Sequence, residues 1–280
     1  MLPEHTLAGY RRALDDGAHV IEVDVRASAD GVLVARHDSD LSVTTIAPPG
    51  SRVETASGAE VTALPARERW PLLRPGSAAH DGRYPVPSLT DVLGLAVAEA
   101  EVRGRPVGVA VELKDVAAHR ERGLDVVAAL LADLALVGVP TPAVPVWVLA
   151  FEPEPLRLLA TRRDRGLSPP VRLVHLQERA VSAWPDGVDT VGFELALVLP
   201  ALGARDGAAL TSRVRDEARA VWVWTLRGEN AFLPPALRRG PRPDGAGDLG
   251  SLVAEACALE VEGLVTDEPA RVAAALSLQS

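Results

Sequence analysis

Short runs of apolar, β-branched residues alternate with longer segments of helical periodicity along most of the chain. The runs that predict strands are residues 18–26, 107–114, 144–151, 171–176, 188–193, 220–226 and 262–266. The segments that predict helices are residues 5–16, 88–103, 118–137, 153–166, 208–218, 247–260 and 269–277. This alternation favours a parallel sheet covered by helices. Over this length it favours an α/β fold of the TIM (β/α)8 barrel type more than an open sheet.

Two segments lie outside this alternation. Residues 42–87 show no sustained period and are rich in Pro, Gly, Ser and Thr, so we expect a small insertion there that follows a hairpin. Residues 238–248 are expected to form a loop after the seventh predicted strand. Neither segment has the composition of an interdomain linker, and we therefore expect a single domain over residues 1–280, interrupted by the insertion.

Composition and charge exclude several classes of partner. The net charge is −9 and no stripe of basic residues is present, which argues against nucleic acid as a partner. The longest apolar run, residues 126–139, is interrupted by Asp133 and is too short to cross a bilayer, so no integral membrane segment is expected. We expect a small-molecule substrate and a cytoplasmic protein, with secretion left open if a signal precedes Met1.

Two acidic residues share one face of the first predicted strand. Glu22 and Asp24 are two positions apart, so in a strand both carboxylates point the same way. Ile21, Val23 and Val25 point the other way, towards a packed layer. Two carboxylates that project together would suit a hard cation such as Mg²⁺ or Ca²⁺. A polar strand face that is merely hydrated remains the alternative.

A similar pair occurs at the end of the next predicted strand. Glu112 and Lys114 are also two positions apart, and Lys114 is the only Lys among 29 basic residues. Its retention suggests a need for a compact ammonium, although the survival of one Lys by chance is also open. Gly108 and Ala110 lie on the same face, and their small size should leave room inside the barrel.

The ends of these strands should meet at one mouth of the barrel. Three carboxylates that hold a divalent cation beside Lys114 would suit a phosphate-containing substrate, because the cation and the ammonium neutralise phosphoryl oxygens. His37, which follows the hairpin, would then be placed for general acid or base catalysis. A surface His beside Asp38 is the alternative for this residue.

Several motifs resemble those of the glycerophosphodiester phosphodiesterases. In chain order they are Pro3-Glu4-His5-Thr6, Gly17-Ala18 with Glu22-Val23-Asp24-Val25, Asp30-Gly31 with His37-Asp38, Thr44-Thr45, Val86-Pro87-Ser88-Leu89, Glu112-Leu113-Lys114, Trp224-Thr225-Leu226-Arg227-Gly228-Glu229-Asn230 and Gly263-Leu264-Val265-Thr266-Asp267. They cover nearly the whole chain in the family's order, and together they are far more specific than any one of them.

The resemblance implies a fold, a reaction and a set of roles. It implies a TIM barrel and metal-dependent hydrolysis of glycerophosphodiesters to an alcohol and sn-glycerol 3-phosphate. Glu22, Asp24 and Glu112 would be metal ligands for Ca²⁺ or Mg²⁺, and His37 would be one of two catalytic His. Lys114 would contact the phosphate and Trp224 would wall the pocket near the glycerol.

The chain departs from the family at its beginning. The family's His-Arg-Gly motif ends the first barrel strand and should precede Pro3 by a few residues, but the sequence begins at Met1. We therefore expect that the first strand and its catalytic His are missing, which would impair hydrolysis by the chain as given, since His37 alone would remain of the two catalytic His. A misplaced start is favoured over a degenerate protein that binds phosphodiesters without turnover, because an orphaned barrel edge exposes unpaired backbone groups. A phospholipase D-like enzyme acting on lysophospholipid or sphingolipid is a third hypothesis.

Overall fold

The strands form one curled sheet. A computed structural model describes residues 1–179 and 183–279. Within them the strands are β1 (Val20–Ala27), β2 (Leu33–Ala35), β3 (Gly108–Leu113), β4 (Val146–Ala150), β5 (Arg172–Gln177), β6 (Thr190–Glu194), β7 (Ala220–Leu226) and β8 (Gly263–Thr266). Their spatial order is β2-β1-β3-β4-β5-β6-β7-β8. β2 is antiparallel to β1, and all the other neighbours are parallel.

Helices follow most of the strands. In the same described residues they are α1 (Leu7–Asp15), α2 (Gly58–Thr62), α3 (Pro75–Ala78), α4 (Leu89–Arg103), α5 (Val116–Glu121), α6 (Val126–Val137), α7 (Pro153–Asp164), α8 (Leu195–Val198), α9 (Gly207–Asp216), α10 (Leu249–Ala258) and α11 (Pro269–Leu276). None of these helices combines the length and the apolar character needed to cross a lipid bilayer.

The predicted α/β architecture of the TIM-barrel type is confirmed. Each of the seven predicted apolar runs overlaps one of the parallel strands to within one residue at its carboxyl end. Within the described residues no backbone pairing joins β8 to β1, so the curled sheet is an open half-barrel. The parallel order brings the carboxyl ends of all seven strands to the same edge, which is where ligands bind in such folds.

Helix boundaries follow local capping chemistry. Ser88 caps α4: its hydroxyl accepts from the backbone N–H of Asp91, whose carboxylate accepts from the N–H of Ser88. The predicted helix over residues 118–137 is instead two helices, α5 and α6. Gly123 adopts a left-handed φ of 79°, and Asp125 then caps α6 by accepting from the N–H of Ala128.

Aromatic side chains project into the interior of the half-barrel. Gly108 and Ala110 were expected to leave space there, but the indole of Trp147 occupies it. A Cβ added at Gly108 would lie 2.6 Å from Cζ3 of Trp147. Trp147 in turn lies 5.7 Å from Trp222, measured between ring centroids. The small residues on β3 therefore make room for large ones on β4 and β7, which themselves line the cavity inside the half-barrel.

A buried arginine connects the insertion to the start of the chain. The insertion contains α2, α3 and a 3-10 turn at Val53–Thr55. Arg36 follows β2, is fully buried, and donates from Nη1 to the carbonyl and the hydroxyl of Thr44 at 3.1 and 2.9 Å. Its Nη2 donates to the carbonyl of Glu4 at 3.2 Å. Arg36 thereby fixes the segment before α1 against the beginning of the insertion.

Two glycine substitutions test this packing. We expect Gly108→Ala to lower the free energy of unfolding by about 1–3 kcal/mol, because the new methyl group overlaps the Trp147 ring. Gly94 lies in α4 with no atom within 4 Å of an added Cβ, and Gly94→Ala should raise stability by about 1 kcal/mol. Urea unfolding measures both changes. Equal stability of the Gly108→Ala protein and its parent would contradict this account of the barrel interior.

Candidate active site

Three carboxylates converge where β1 and β3 end. The two strands pair in parallel with Asp24 opposite Glu112 and Glu22 opposite Ala110. One oxygen from each of Glu22, Asp24 and Glu112 lies within 4.8 Å of the others. Asp24 and Glu112 are buried and Glu22 is partly buried. The sequence-predicted set is therefore brought together by strand register and not by loop conformation.

Lys114 lies against this cluster. Its Nζ donates to Oδ1 of Asp24 at 3.0 Å and also contacts Oε1 of Glu112. Burial alone would lower the pKa of this ammonium, but the Asp24 and Glu112 carboxylates outweigh burial and raise the pKa well above its usual value. Lys114 is therefore charged, and it joins the two strands across their carboxyl ends.

One ammonium does not neutralise three carboxylates. Burial, followed by the charges of Asp24 and Glu112, raises the pKa of Glu22 well above its usual value. Burial and Asp24 likewise raise the pKa of Glu112 to about 8. Such shifts indicate negative charge that the protein alone does not compensate. An all-oxygen set of this kind fits a divalent cation such as Mg²⁺ or Ca²⁺, so the residues present could hold one.

His5 also contacts the cluster, although sequence analysis gave it no role. Its Nε2 lies 2.9 Å from Oδ2 of Asp24, and its Nδ1 lies 2.7 Å from the hydroxyl of Tyr10. Burial would raise the pKa of Asp24, but the hydrogen bond from His5 and the charge of Lys114 lower it well below its usual value. The Thr6 hydroxyl caps α1 by accepting from the N–H of Gly9, and this contact fixes the segment that carries His5. A Thr directly before a helix is a capping signal that the sequence does show.

His37 lies beside the carboxylates at the cavity surface. Its Nδ1 is 3.2 Å from Oδ1 of Asp38, and half of its side chain is exposed. Asp38 also contacts Arg69, which donates to both carboxylate oxygens of Glu4 at 2.9 and 2.8 Å. Arg69 thus connects the insertion to Glu4 and to Asp38, the neighbour of His37.

Aromatic residues form one wall. Trp224 lines the cavity, and its indole N–H donates to the carbonyl of Gly192 at 3.1 Å. The Phe151 ring meets Trp224 edge to face with centroids 5.5 Å apart, and Nζ of Lys114 lies 5.9 Å from the centroid of Phe151. Phe151 therefore connects Trp224, the residue predicted to wall the pocket, to the ammonium of Lys114 beside the carboxylates.

A second wall, which the sequence did not reveal, comes from the insertion. Arg74 donates from Nε to Glu229 at 2.6 Å and from Nη2 to Asp267 at 2.8 Å. Its guanidinium lies 4.8 Å from the centroid of Trp70, which is 5.0 Å from the centroid of Phe232. Residues from the insertion, from the loop after β7 and from the end of β8 therefore form one cluster.

Most of these groups border one cavity of about 1540 Å³. Its lining includes the carboxylates, Lys114, His5, His37, both aromatic walls and the interior faces of α1 and α11. Its volume exceeds the roughly 300–1,000 Å³ of most small-molecule sites, but the few charged groups that converge at one end are typical of such a site. The structure places every sequence-predicted site residue on its surface.

The half-barrel and the charged mouth define a TIM-barrel phosphoric diester hydrolase as the class of protein. Residues 1–271 match the model of the Glycerophosphoryl diester phosphodiesterase family, and the chain belongs to that family.

Individual relatives agree with this assignment. A probable glycerophosphodiester phosphodiesterase of Mycobacterium tuberculosis (strain ATCC 25618 / H37Rv) is 32% identical over 233 residues, which cover 80% of this chain and 77% of the relative. A glycerophosphodiester phosphodiesterase of Arabidopsis thaliana is 50% identical over only 44 residues, 16% of this chain and 12% of the relative.

Solved structures share the fold. An Oleispira antarctica phosphodiesterase in complex with the product sn-glycerol-3-phosphate has a TM-score of 0.73 and 19% identity, and the match covers 99% of this chain and 92% of that one. A putative glycerophosphoryl diester phosphodiesterase from Silicibacter pomeroyi has a TM-score of 0.72 and 20% identity, with 100% and 90% covered. At these identities the likeness establishes the fold alone.

The Arg74 contacts can be tested by stability. We expect Arg74→Met to lower the free energy of unfolding by about 3 kcal/mol, because it leaves the buried Glu229 carboxylate without its partner, whereas Asp267 keeps its contact with Arg227. Arg12→Met, which removes an exposed pair with Asp16, should change stability by less than about 1 kcal/mol. Guanidinium unfolding measures both. Equal effects of the two substitutions would show that Arg74 is no more than a surface charge.

Proposed function

We propose that this protein hydrolyses glycerophosphodiesters to an alcohol and sn-glycerol 3-phosphate at the mouth of the half-barrel. The observation that carries the proposal is the convergence of three carboxylates, one ammonium and the imidazoles of His5 and His37 on one cavity of a chain that belongs to this family. The product seen in the Oleispira antarctica structure supports the same substrate class.

We further propose that Glu22, Asp24 and Glu112 hold a divalent cation, Ca²⁺ or Mg²⁺. When bound, such a cation supplies Lewis-acid stabilisation of negative charge on the phosphoryl oxygens. The carboxylates orient the site because strand pairing holds them within 4.8 Å of one another. Lys114, already at their edge, supplies a second positive charge to the same oxygens.

The proton transfers are assigned to His37 in this proposal. Hydrolysis breaks one P–O bond and forms another to a water oxygen, and the leaving alkoxide must gain a proton. Asp38 engages Nδ1 of His37, which leaves Nε2 to give a proton to the leaving oxygen or to take one from water. Trp224 and Phe151 exclude water from one side of the cavity.

A second candidate is a phospholipase D-like activity on lysophospholipid or sphingolipid. Four of the aromatic side chains that border the cavity favour it, since they offer apolar surface at the mouth: Trp70, Phe151, Trp224 and Phe232. A third candidate is binding without turnover, which predicts a ligand-induced rise in melting temperature with no product.

We also propose that the chain forms a single domain. Its compartment, cytoplasmic or secreted, stays a prediction.

Activity assays test the roles. We expect the parent to release glycerol 3-phosphate from glycerophosphocholine in the presence of Mg²⁺ or Ca²⁺, and to spare lysophosphatidylcholine. Glu22→Gln, Asp24→Asn, Glu112→Gln and His37→Ala should each lower kcat/KM by at least about 100-fold, because each removes a ligand or a proton-transfer group. Glu99→Gln, a partly matched control outside the cavity, should keep parental activity. Parental rates in the four site variants would refute the assignment.

Metal binding can be measured without turnover. At 100 times its dissociation constant the cation should stabilise the parent by about 2.7 kcal/mol, seen as a rise in melting temperature that EDTA reverses. Glu112→Gln should abolish that rise, because one of the three oxygen ligands loses its charge. An unchanged metal-dependent rise in the Glu112→Gln protein would show that the cation binds elsewhere.

A further inference from the structure

Arg26 occupies the position on β1 that follows Glu22 and Asp24 on the same face. Its side chain is only 8% exposed, and sequence analysis assigned it no role. The Nε atom donates to the backbone carbonyl of His37 at 2.9 Å. β1, which carries Glu22 and Asp24, therefore also holds the main chain of His37, because Arg26 is the next residue on the same face of this strand.

Two carboxylates fix the other end of this guanidinium. Nη1 of Arg26 donates to Oδ2 of Asp115 at 2.6 Å and lies 3.4 Å from Oε1 of Glu54. Glu54 belongs to the insertion and also accepts from the hydroxyl of Ser39 at 2.6 Å. Because the guanidinium is planar and its donors are fixed relative to one another, these contacts restrict its orientation as well as its position.

Asp115 connects this network to the phosphate-binding side of the mouth. It directly follows Lys114, and its backbone is left-handed, with φ 48° and ψ 45°, before α5 begins. This conformation is less costly for Asp than for most residues and turns the chain away from β3. Lys114 and His37 are thus connected through one ion pair and one hydrogen bond.

His37 depends on such a connection. Its imidazole is half exposed, and within the described residues its side-chain hydrogen bonding is confined to Asp38, its own neighbour. A side chain with so few contacts gains its position mainly from its backbone. Proton transfer requires that the imidazole lie within hydrogen-bond reach of the reacting oxygen, and a displacement of about 1 Å can cost about 100-fold in rate.

We propose that Arg26, held by Glu54 and Asp115, is a positioning residue for His37, an inference that rests on the proposed hydrolytic function. It does not contact substrate. It fixes the His37 carbonyl relative to the strand that bears Glu22 and Asp24. It thereby sets the distance between the His37 imidazole and the cluster of three carboxylates. The insertion contributes to catalysis by supplying Glu54 to this network.

A double-mutant cycle tests the proposal. Arg26→Gln should lower kcat on glycerophosphocholine about 10–100-fold with KM changed less than about twofold, because ground-state binding by Lys114 and the cation is retained. In a His37→Ala background, Arg26→Gln should cost less than about twofold more, because its effect acts through His37. Full additivity of the two losses would overturn the proposal.

A matched control separates positioning from general destabilisation. Arg163 also donates to a carboxylate, that of Asp189 at 2.6 Å, and to backbone carbonyls, but it lies outside the cavity lining. Arg163→Gln should destabilise the protein to a comparable extent in urea and leave kcat within about twofold of the parent. A loss of kcat equal to that of Arg26→Gln would overturn the proposal. If Arg26→Gln fails to fold, Arg26→Lys and Asp115→Asn replace it in the cycle, with smaller expected losses of kcat.

A measurement without substrate distinguishes failure of this inference from failure of the proposed function. In protein labelled with ¹³C-histidine, the His37 ring signal, assigned from its loss in His37→Ala, should shift in Arg26→Gln. The signal of His175, on β5, should stay in place. An unmoved His37 signal would overturn the positioning role. An absence of hydrolysis by the parent, with the His37 signal shifted, would count against the proposed function alone.

Discussion

Repulsion among three carboxylates is the constraint on which the structure of the mouth depends. Parallel pairing of β1 and β3 sets Asp24 opposite Glu112, and the period of two along β1 adds Glu22. Like charges so close together in a partly buried site are costly unless positive groups or hydrogen-bond donors face them. Lys114 and His5 supply part of this compensation, and both contact the most buried part of the cluster through Asp24.

The remaining polar contacts extend outward from this centre. Arg69 joins Glu4 to Asp38, and Arg36 joins the carbonyl of Glu4 to Thr44, so the segment before α1 is held on both sides. This segment presents His5 to Asp24. The chain's strong preference for Arg is consistent with these roles, since each guanidinium bridges two or more partners with fixed geometry. Lys114 contacts its carboxylates as a compact charge.

The sequence predicted what depends on local pattern. The strands followed from β-branched runs, and the convergence of Glu22, Asp24 and Glu112 followed from side-chain alternation plus parallel order. His5 and Trp70 were missed because their contacts form between loops that carry no periodic signal. Arg26 lies on the same face of β1 as Glu22 and Asp24, but its partners come from distant segments that the pattern does not identify. The break between α5 and α6 could have been read from Gly123 and Asp125. Trp147 occupies the space that was expected beside Gly108. Its side chain comes from the neighbouring strand β4, and the pattern of β3 alone carries no information about that strand.

The insertion has a mechanical consequence for the open half-barrel. It begins after β2, next to β1, at one edge of the sheet. Its Arg74 nevertheless forms ion pairs with Glu229, which follows β7, and with Asp267, which follows β8 at the other edge. The two edges of the sheet are therefore linked across the mouth by ion pairs and stacked rings, where a closed barrel would have a hydrogen-bonded ladder. Because Arg74 and Glu229 are largely buried, salt screens their attraction much less than it screens an exposed pair. The link between the two edges should accordingly persist as ionic strength rises, although side chains alone form it.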